Sequence, residues 1–353
     1  MIKLQDYINS KNIALYIKEL PVEDTIDKTL FPDKKVLGTK LEQAKGAKKK
    51  AVALRQSTFD VAAKMRSLNA KVEVSTTEIP FFKEAVGIDE TTRREVINAM
   101  NCNNENIVNA VLDQVFDGQA NLIKGAGIIA KKMRAQAIQT GKIIYSSDPK
   151  DGTVVIDYGV PSNHKVTLTS TDKWTNPAAD IVGDVKKYQK IMTDDNYAKP
   201  TIMLMTEKTF DSTFLVNTAI TQDIRNSNLN TLRIISQADY LTFAKERMGL
   251  TIIFLEDTTY YPYEGADPVQ YYDDFKVTLM SGTTLGNTVY GTTPEEFDLT
   301  HGSGKLDTTI IAPGIAVTTN TKWDPVTVDT KVSVMPIVSF DRADEVFFAT
   351  VGE

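Results

Sequence analysis

The stretch that decides the fold is "DETTRREVINAMNCNNENIVNAVLDQVFDGQANLIKGAGIIAKKMRAQAIQTGK", which runs from Asp89 to Lys142. Its apolar residues recur at intervals of three or four, or at multiples of them, and form a single stripe. The stripe consists of Ile107, Val111, Val115, Leu122, Ile129, Met133 and Ala137. The pattern therefore predicts one long, one-sided helix from about Asn104 to Gln139.

Three glycines, Gly118, Gly125 and Gly127, lie inside this predicted helix. Each costs about 0.5 to 1 kcal/mol relative to alanine, so helix propensity alone does not account for them. One interpretation is a hinge at which the helix bends or slides. The other is a close approach by a neighbouring strand or helix. Both interpretations remain open at this point.

Before the helix lies a basic segment, Gln43–Arg66, which carries seven Lys or Arg residues and one Asp. Its basic residues are Lys45, Lys48, Lys49, Lys50, Arg55, Lys64 and Arg66. The following "AKVEVSTTEIPFFKEAVGI" alternates and contains Pro80, which favours an extended strand returning from a loop. Residues 45–87 are thus predicted to form a long excursion, and loops beyond about 12 to 15 residues are usually functional or disordered.

After the helix, the chain alternates between strands and helices. Two β-rich runs flank "DPKDG", Asp148–Gly152, and predict a hairpin. Next, "PTIMLMT" and "LTIIFLED" are predicted strands, flanked by helices such as "EKTFDSTFLVNTAI", which indicates a small α/β subdomain. At the end, "VTVDTKVSVMPIVSFDRADEVFFATVGE" predicts two strands around "FDRADE" that complete a sheet.

Composition limits the classes of protein that remain. The 353 residues exceed one compact core, so two domains, or one domain with extensions, are expected. No apolar run approaches the roughly 18 to 20 residues that span a bilayer, which predicts a soluble chain without a Sec signal and without a membrane partner. A net charge of −6 argues against general coating of nucleic acid.

Residues suited to catalysis are scarce. The two histidines, His164 and His301, are too few for a His-rich metal site or a convincing triad. Ser303 follows His301 in "HGSG" without a nucleophile elbow, so a flexible loop is predicted there. Cys102 has no basic neighbour and is predicted to be a passive thiol. The sequence thus predicts neither an enzyme nor a cofactor or metal site.

The order of these parts resembles the tailed-phage major capsid protein, which has the Hong Kong 97-like fold. More narrowly, the chain resembles the lambda-type capsid protein E family over roughly residues 20–353. The stretches that carry the resemblance are "PTIMLMTEKTFDSTFLVN", "MGLTIIFLEDTTYYPYEGADPVQYYDDFKVTLMSG", "LGNTVYGTTPEE" and "VSVMPIVSFDRADEVFFATV". The first of these resembles the family's strand that ends in a turn and enters a helix, and the second its tyrosine-bearing insert between two strands.

The resemblance implies an α+β fold divided into four parts. They are an N-terminal arm (1–44), an extended loop (45–87), a peripheral domain with the long spine helix and a β-sheet (88–177 and 301–353), and a central α/β axial domain (178–300). The implied role is structural, without an active site. Gly118, Gly125 and Gly127 would then be hinge candidates in a spine helix that rearranges as the shell expands.

The implied partners are further copies of the chain in hexamers and pentamers, a scaffold protein, the portal and a decoration protein. The location is the virion, after assembly in the host cytoplasm, with packaged double-stranded DNA contacted weakly if at all. For the basic segment, contact with a neighbouring subunit is favoured over contact with DNA or scaffold and over a solvated loop. The alternative function is another phage structural protein or a DNA-binding protein.

Overall fold

The computed structural model describes residues 9–18, 25–45, 73–101, 105–146, 153–227, 235–303, 306–322 and 324–353. In chain order the helices are α1 (Ser10–Lys18), α2 (Ile26–Leu30), α3 (Glu90–Asn101), α4 (Glu105–Thr140), α5 (Ile181–Asp194), α6 (Glu207–Thr213), α7 (Thr218–Ser227), α8 (Gln237–Phe243) and α9 (Pro294–His301). A π-helical turn, Ala244–Met248, continues α8.

The strands cover the remaining regular backbone of these residues. They are β1 (Asp33–Lys35), β2 (Lys40–Lys45), β3 (Glu73–Glu78), β4 (Phe82–Ile88), β5 (Lys142–Ser146), β6 (Thr153–Asp157), β7 (Lys165–Thr167), β8 (Ile202–Thr206), β9 (Thr251–Leu255), β10 (Thr259–Tyr260), β11 (Val269–Gln270), β12 (Lys276–Met280), β13 (Asn287–Tyr290), β14 (Asp307–Ile311), β15 (Ile315–Thr321), β16 (Val328–Val334), β17 (Pro336–Ser339) and β18 (Val346–Thr350).

Helix α4 confirms the predicted long helix to within one residue at each end. Its buried face comprises Ile123, Ala126, Ala130, Met133 and Ala137, a spacing of three and four that places them on one side. Of the predicted stripe, Met133 and Ala137 are buried, and Leu122 and Ile129 are half-buried.

The end of α4 is fixed by Gly141. This residue has φ +66°, and its N–H donates to the carbonyl of Ala137 at 3.0 Å. A left-handed residue that satisfies a carbonyl of the last turn is a common helix terminator, and glycine adopts it without steric cost. A side chain there would meet Val160 Cγ2 at 2.7 Å, so both conformation and space require glycine.

A five-stranded sheet in the order β7-β18-β12-β8-β9 forms the α/β part of the molecule. Strand β12 is antiparallel to both neighbours, whereas β8–β9 and β7–β18 are parallel pairs. Helices α5 to α8 contribute to the core on this sheet, which includes the fully buried Trp174, Phe210, Phe214 and Phe347. This sheet confirms the predicted α/β subdomain built on "PTIMLMT" and "LTIIFLED".

A four-stranded antiparallel sheet, β14-β15-β16-β4, packs against α4 and α1. Ile13 and Ala14 of α1 enter its core, and Ser10 Oγ donates to Asp307 Oδ1 of β14 at 2.8 Å. A three-stranded sheet, β1-β13-β17, also packs against α4, through strand β17. The spine helix is therefore the element on which these sheets converge.

Strand pairing crosses the predicted part boundaries. Strand β4 lies within the predicted loop 45–87 but pairs with β16 along its whole length. Strand β18, placed in 301–353, pairs with β12 of 178–300. Strand β13, also of 178–300, pairs with β17 and β1. The predicted N-terminal arm also contains two helices, α1 and α2.

Three local predictions need correction. The single helix expected for "EKTFDSTFLVNTAI" is split into α6 and α7, because Asn217 starts a new helix by accepting the Ile220 N–H at 3.0 Å. The strand before "FDRADE" is broken at Met335 into β16 and β17, which join different sheets. His301 is the last residue of α9 and not part of a loop.

Candidate assembly surfaces

The predicted inter-subunit loop is described only at its base. Lys45 is the last residue of β2 and lies opposite Glu73 of β3, so the chain leaves and returns at the same end of a two-stranded ribbon. The other predicted contact residues lie outside the described residues: Lys48, Lys49, Lys50, Arg55, Lys64 and Arg66. Their role stays a prediction.

The β2–β3 ribbon is held to the body at its other end. Leu41 and Ile79 are buried in a small cluster with Val289, Met335 and Ile337, and the N–H of Ile79 donates to the carbonyl of Thr39 at 2.9 Å. A two-stranded ribbon is marginally stable alone, so this cluster anchors it. The basic segment therefore begins at a ribbon whose other end is fixed to the body of the subunit.

The three glycines of α4 lie in unbroken helix. A Cβ built on Gly118, Gly125 or Gly127 would meet no heavy atom within 4 Å among the described residues. Close packing against the described residues therefore does not account for them, and that interpretation remains for contacts with other parts of the chain or with another copy. The hinge interpretation stays a prediction.

A buried ion pair connects α2 to the spine helix. Nε of Arg134 donates to Oδ2 of Asp27 at 2.5 Å, and their side chains are 4% and 1% exposed. Asp33 lies 3.8 Å from the same guanidinium. Sequence reasoning missed this pair, although Arg134 falls four residues after Ala130 and three before Ala137, on the buried face of α4.

Burial and charge act in opposite directions at this cluster. Burial raises the pKa of Asp33, and the nearby Arg134 offsets this only in part. For Arg134, burial alone would lower the pKa, but the attraction and hydrogen bond of Asp27 outweigh it and leave the pKa raised. The guanidinium is therefore charged in the folded protein and depends on Asp27 for compensation.

The β5–β6 hairpin confirms the pairing predicted on either side of "DPKDG". Ile144 and Val155 are directly opposite one another and are 46% and 53% exposed. Ile143 points to the other face and is fully buried. The hairpin thus has one face in the core and one face whose apolar Ile144 and Val155 are left exposed by the described residues.

Helix α9 also turns apolar groups outward. Phe297 is 59% exposed and its ring stacks on His301 at 4.8 Å, while the carboxylate of Glu295 is buried and accepts from Ser333 Oγ at 2.7 Å. The capping residue Thr293 and Pro294 at the first helical position are the sequence signals by which α9 could have been predicted.

The histidines do not form a catalytic arrangement. His164 is buried, contacts Asp195 through Nε2 at 2.9 Å, and packs edge-on against Tyr197. His301 is exposed at the end of α9. A cavity of about 230 Å³ beside α5 and α7 contains the ion pair of Asp223 and Arg247, but neither histidine lines it. Cys102 lies outside the described residues.

Two further searches cover only the residues that the structure describes. Within them, no group of three or more His, Cys, Asp or Glu side chains could hold a metal ion. Across the same residues, every helix is too short or too polar to cross a bilayer.

Solved structures with this architecture include phage capsid proteins. A protein of an E. coli CFT073 prophage, assigned as a capsid protein, matches with a TM-score of 0.58 and 12% identity, over 98% of this chain and 99% of its own. A phage-related protein of Bordetella bronchiseptica RB50 matches with a TM-score of 0.52 and 11% identity, over 97% and 96%. The capsid of cyanophage A-1(L) gives 0.51 and 11%, over 94% and 95%.

At these identities the similarity establishes the fold, and the expected Hong Kong 97-like capsid fold is confirmed. The sequence also matches the family described as phage major capsid protein E over residues 9–351. The chain belongs to this family and is a phage major capsid protein. No curated protein matches the sequence.

Proposed function

We propose that many copies of this chain form pentamers and hexamers, and that these close into an icosahedral shell around double-stranded DNA. The family match over residues 9–351 carries the proposal. A closed shell reuses the same surfaces of one sequence in many subunits, so those surfaces must be complementary to one another.

Exposed apolar side chains support the proposal. Leu37 is 87% exposed, Tyr263 72% and Phe297 59%. Leu37 lies between β1 and β2, Tyr263 between β10 and β11, and Phe297 on α9. Apolar side chains exposed to this degree are groups that a contact between copies can cover. Assembly would bury them.

The basic segment contacts a neighbouring subunit in this proposal. Its fixed base at the β2–β3 ribbon supports this role, because an anchored ribbon gives a long excursion a defined direction. Contact with DNA or a scaffold and a solvated loop are the alternatives, as in the sequence analysis. Gly118, Gly125 and Gly127 form the hinge of the spine helix as the shell expands.

The chain acts without catalysis and without a cofactor. Its further partners are a scaffold protein, the portal and a decoration protein, and DNA is contacted weakly. Capsid family membership supports a place in the virion, and assembly takes place in the host cytoplasm.

The test is expression of the protein alone and with its scaffold, followed by sedimentation and negative-stain microscopy. Capsomers or closed shells are expected. A protein that stays monomeric under both conditions contradicts the proposal.

The loop contact is tested by replacing Lys48, Lys49 and Lys50 with Glu. Assembly should fail while circular dichroism and melting stay nearly unchanged, because surface charges contribute little to folding yet set interface register. The control reverses three exposed lysines of α5: Lys186, Lys187 and Lys190. If the loop variant assembles and loses only DNA affinity in a salt-dependent gel shift, the subunit contact is wrong.

A further inference from the structure

The chain between β9 and β12 has an unusual composition. Residues 256–274, the tyrosine ribbon, contain six Asp or Glu, no Lys or Arg, and five tyrosines. Because the whole chain has a net charge of −6, the remainder of the protein is formally neutral. The ribbon and the basic segment, with seven Lys or Arg against one Asp, thus carry net charges of equal size and opposite sign.

The base of the tyrosine ribbon is fixed to the spine helix. Nζ of Lys131 lies 2.6 Å from Oε2 of Glu256 and 4.9 Å from the ring centre of Tyr271. Nζ of Lys132 lies 5.7 Å from the ring centre of Tyr260. These contacts pair cations with tyrosine rings and with a carboxylate, which shows the chemistry that the ribbon accepts.

The tip of the tyrosine ribbon offers the same groups without partners. Tyr261 is 65% exposed and Tyr263 72%, and Glu264 and Asp267 are also exposed. Among the described residues, none forms a hydrogen bond, ion pair or ring contact with any of these four side chains. The tip thus repeats the composition of the base but lacks its cations.

The shape of the tip is nevertheless defined. Strands β10 and β11 pair at its neck, and Gln270 Nε2 donates to Asp257 Oδ1 at 3.0 Å. Gly265, with φ +81°, forms the turn in which Ala266 N–H donates to the Tyr263 carbonyl at 3.1 Å. A preformed surface loses less conformational entropy on binding than a floppy one.

The fitting occupant is a chain rich in Lys and Arg. Ammonium and guanidinium groups bind to tyrosine faces and form charge-assisted hydrogen bonds with carboxylates. The basic segment, Gln43–Arg66, supplies seven such groups against one Asp. Half of the stretch between Lys45 and Glu73 spans about 45 Å when extended, which exceeds the roughly 30 Å diameter of a small domain.

We propose that the tyrosine ribbon of one copy receives the basic segment of a neighbouring copy. The inference rests on the proposed function, because it names the surface that the loop contacts in the shell. A head-to-tail contact of this kind, with different surfaces on the two partners, generates a closed ring when the rotation between copies closes, as pentamers and hexamers require.

Two charge-reversed variants test the contact. The ribbon variant carries Glu264→Lys and Asp267→Lys, and the segment variant carries Lys48→Glu, Lys49→Glu and Lys50→Glu. Each alone should assemble about tenfold less than wild type or worse, because like charges then face each other. Combining all five changes in one chain should restore assembly.

Mixing the two variants distinguishes a contact between neighbouring copies from a contact within one copy. If the contact is between copies, an equimolar mixture of the two variants should form hexamers in which the variants alternate. At one contact a reversed ribbon then meets a reversed segment, and at the next an unchanged ribbon meets an unchanged segment, so opposite charges face each other at both. If the variant with all five substitutions assembles but the mixture does not, the segment binds the ribbon of its own copy and the proposal is overturned.

The control variant carries Asp194→Lys and Glu246→Lys, two exposed acids outside the ribbon, and should assemble normally. If the ribbon variant also assembles normally, the proposal is overturned, whether or not that variant still binds a basic scaffold partner. The capsid function stands in that case. A wild-type protein that never assembles contradicts the capsid function instead, so the two failures are distinguishable.

Discussion

Arg134 and Asp27 form an ion pair at 2.5 Å in which both side chains are almost fully buried. It joins α2, near the start of the described chain, to the last quarter of the spine helix. The second oxygen of Asp27, Oδ1, has no hydrogen-bond partner among the described residues. The pair therefore positions α2 while leaving part of its own desolvation uncompensated.

Removing one partner should be costly. Arg134→Met leaves Asp27 buried and unpaired and should lower the free energy of unfolding by about 3 to 5 kcal/mol. The double variant Arg134→Met with Asp27→Leu should cost clearly less, since no charge remains buried. Chemical denaturation of the unassembled subunit measures both, and equal costs would show that the charge pairing is not the cause.

Glu295 should make stability depend on pH in the acid range. Burial opposes its ionisation, but the bonds from Lys331 and Ser333 outweigh burial and hold its pKa below the ordinary 4.5. A carboxyl with a lowered folded-state pKa stabilises the fold above its ordinary pKa, and this contribution is lost as pH falls through the folded value. Glu295→Gln should therefore flatten the fall in stability below about pH 5. Parallel curves for the two proteins would contradict the assignment.

Thr209 should be needed for the backbone at Phe275. Phe275 has φ +60°, and its N–H donates to Thr209 Oγ1 at 2.7 Å. Thr209→Val leaves this N–H without its acceptor and should cost about 1 to 3 kcal/mol of unfolding free energy. The matched control is Thr242→Val, at an exposed threonine bonded within its own helix, which should change stability by less than about 0.5 kcal/mol.

Alanine at Gly125 and Gly127 should stabilise the subunit yet hinder expansion. Nothing lies within 4 Å of the added methyl groups among the described residues, so each change should add about 0.5 to 1 kcal/mol. If the glycines form the hinge, particles should assemble and resist expansion, which electron microscopy and light scattering detect.

The control is Gly141→Ala, which should destabilise the subunit because of its positive φ and its contact with Val160. Particles of the Gly125 and Gly127 variant that expand at the wild-type rate would contradict the hinge. Failure to assemble at all would indicate instead that another copy packs closely against these glycines.

The exposed hairpin face should matter for assembly and not for folding. Replacing Ile144 and Val155 with Thr keeps β-propensity and should change unfolding free energy by less than about 0.5 kcal/mol, while reducing the yield of particles. Ile143→Thr, on the buried face, should cost about 2 kcal/mol or more. Unchanged particle yield in the double variant would remove this face from the assembly surfaces.

Local patterns were enough to predict α4, the β5–β6 hairpin and the strands β8, β9 and β18 of the α/β sheet. These elements are determined by local patterns, since their apolar residues repeat with the period of one helix or strand. Pairing partners are determined by distant parts of the chain. Nothing in "VFFAT" indicates that β18 lies between β12 and β7, and nothing near Phe82 indicates that it pairs with Val334.

The candidate surfaces were predictable only in part. The basic segment stands out in the sequence by its charge alone. The acceptor that we propose for it could not be predicted, because the sequence does not show which acidic side chains lie without partners at the tip of the tyrosine ribbon. The Arg134–Asp27 pair was missed because an arginine in a helix is usually solvated, and only the neighbouring stripe indicated that position 134 faces inward. Nothing in the sequence around Phe297 indicates that its ring faces outward, because that depends on how α9 is oriented on the body.

The place of β18 has a consequence for biosynthesis. It follows every other strand of the five-stranded sheet in chain order, yet it lies inside the sheet, and β7 pairs with no other strand of that sheet. On the ribosome, β7 and one edge of β12 must wait without partners until residues 346–350 emerge. A nascent chain therefore cannot complete the α/β sheet until its translation has passed this strand.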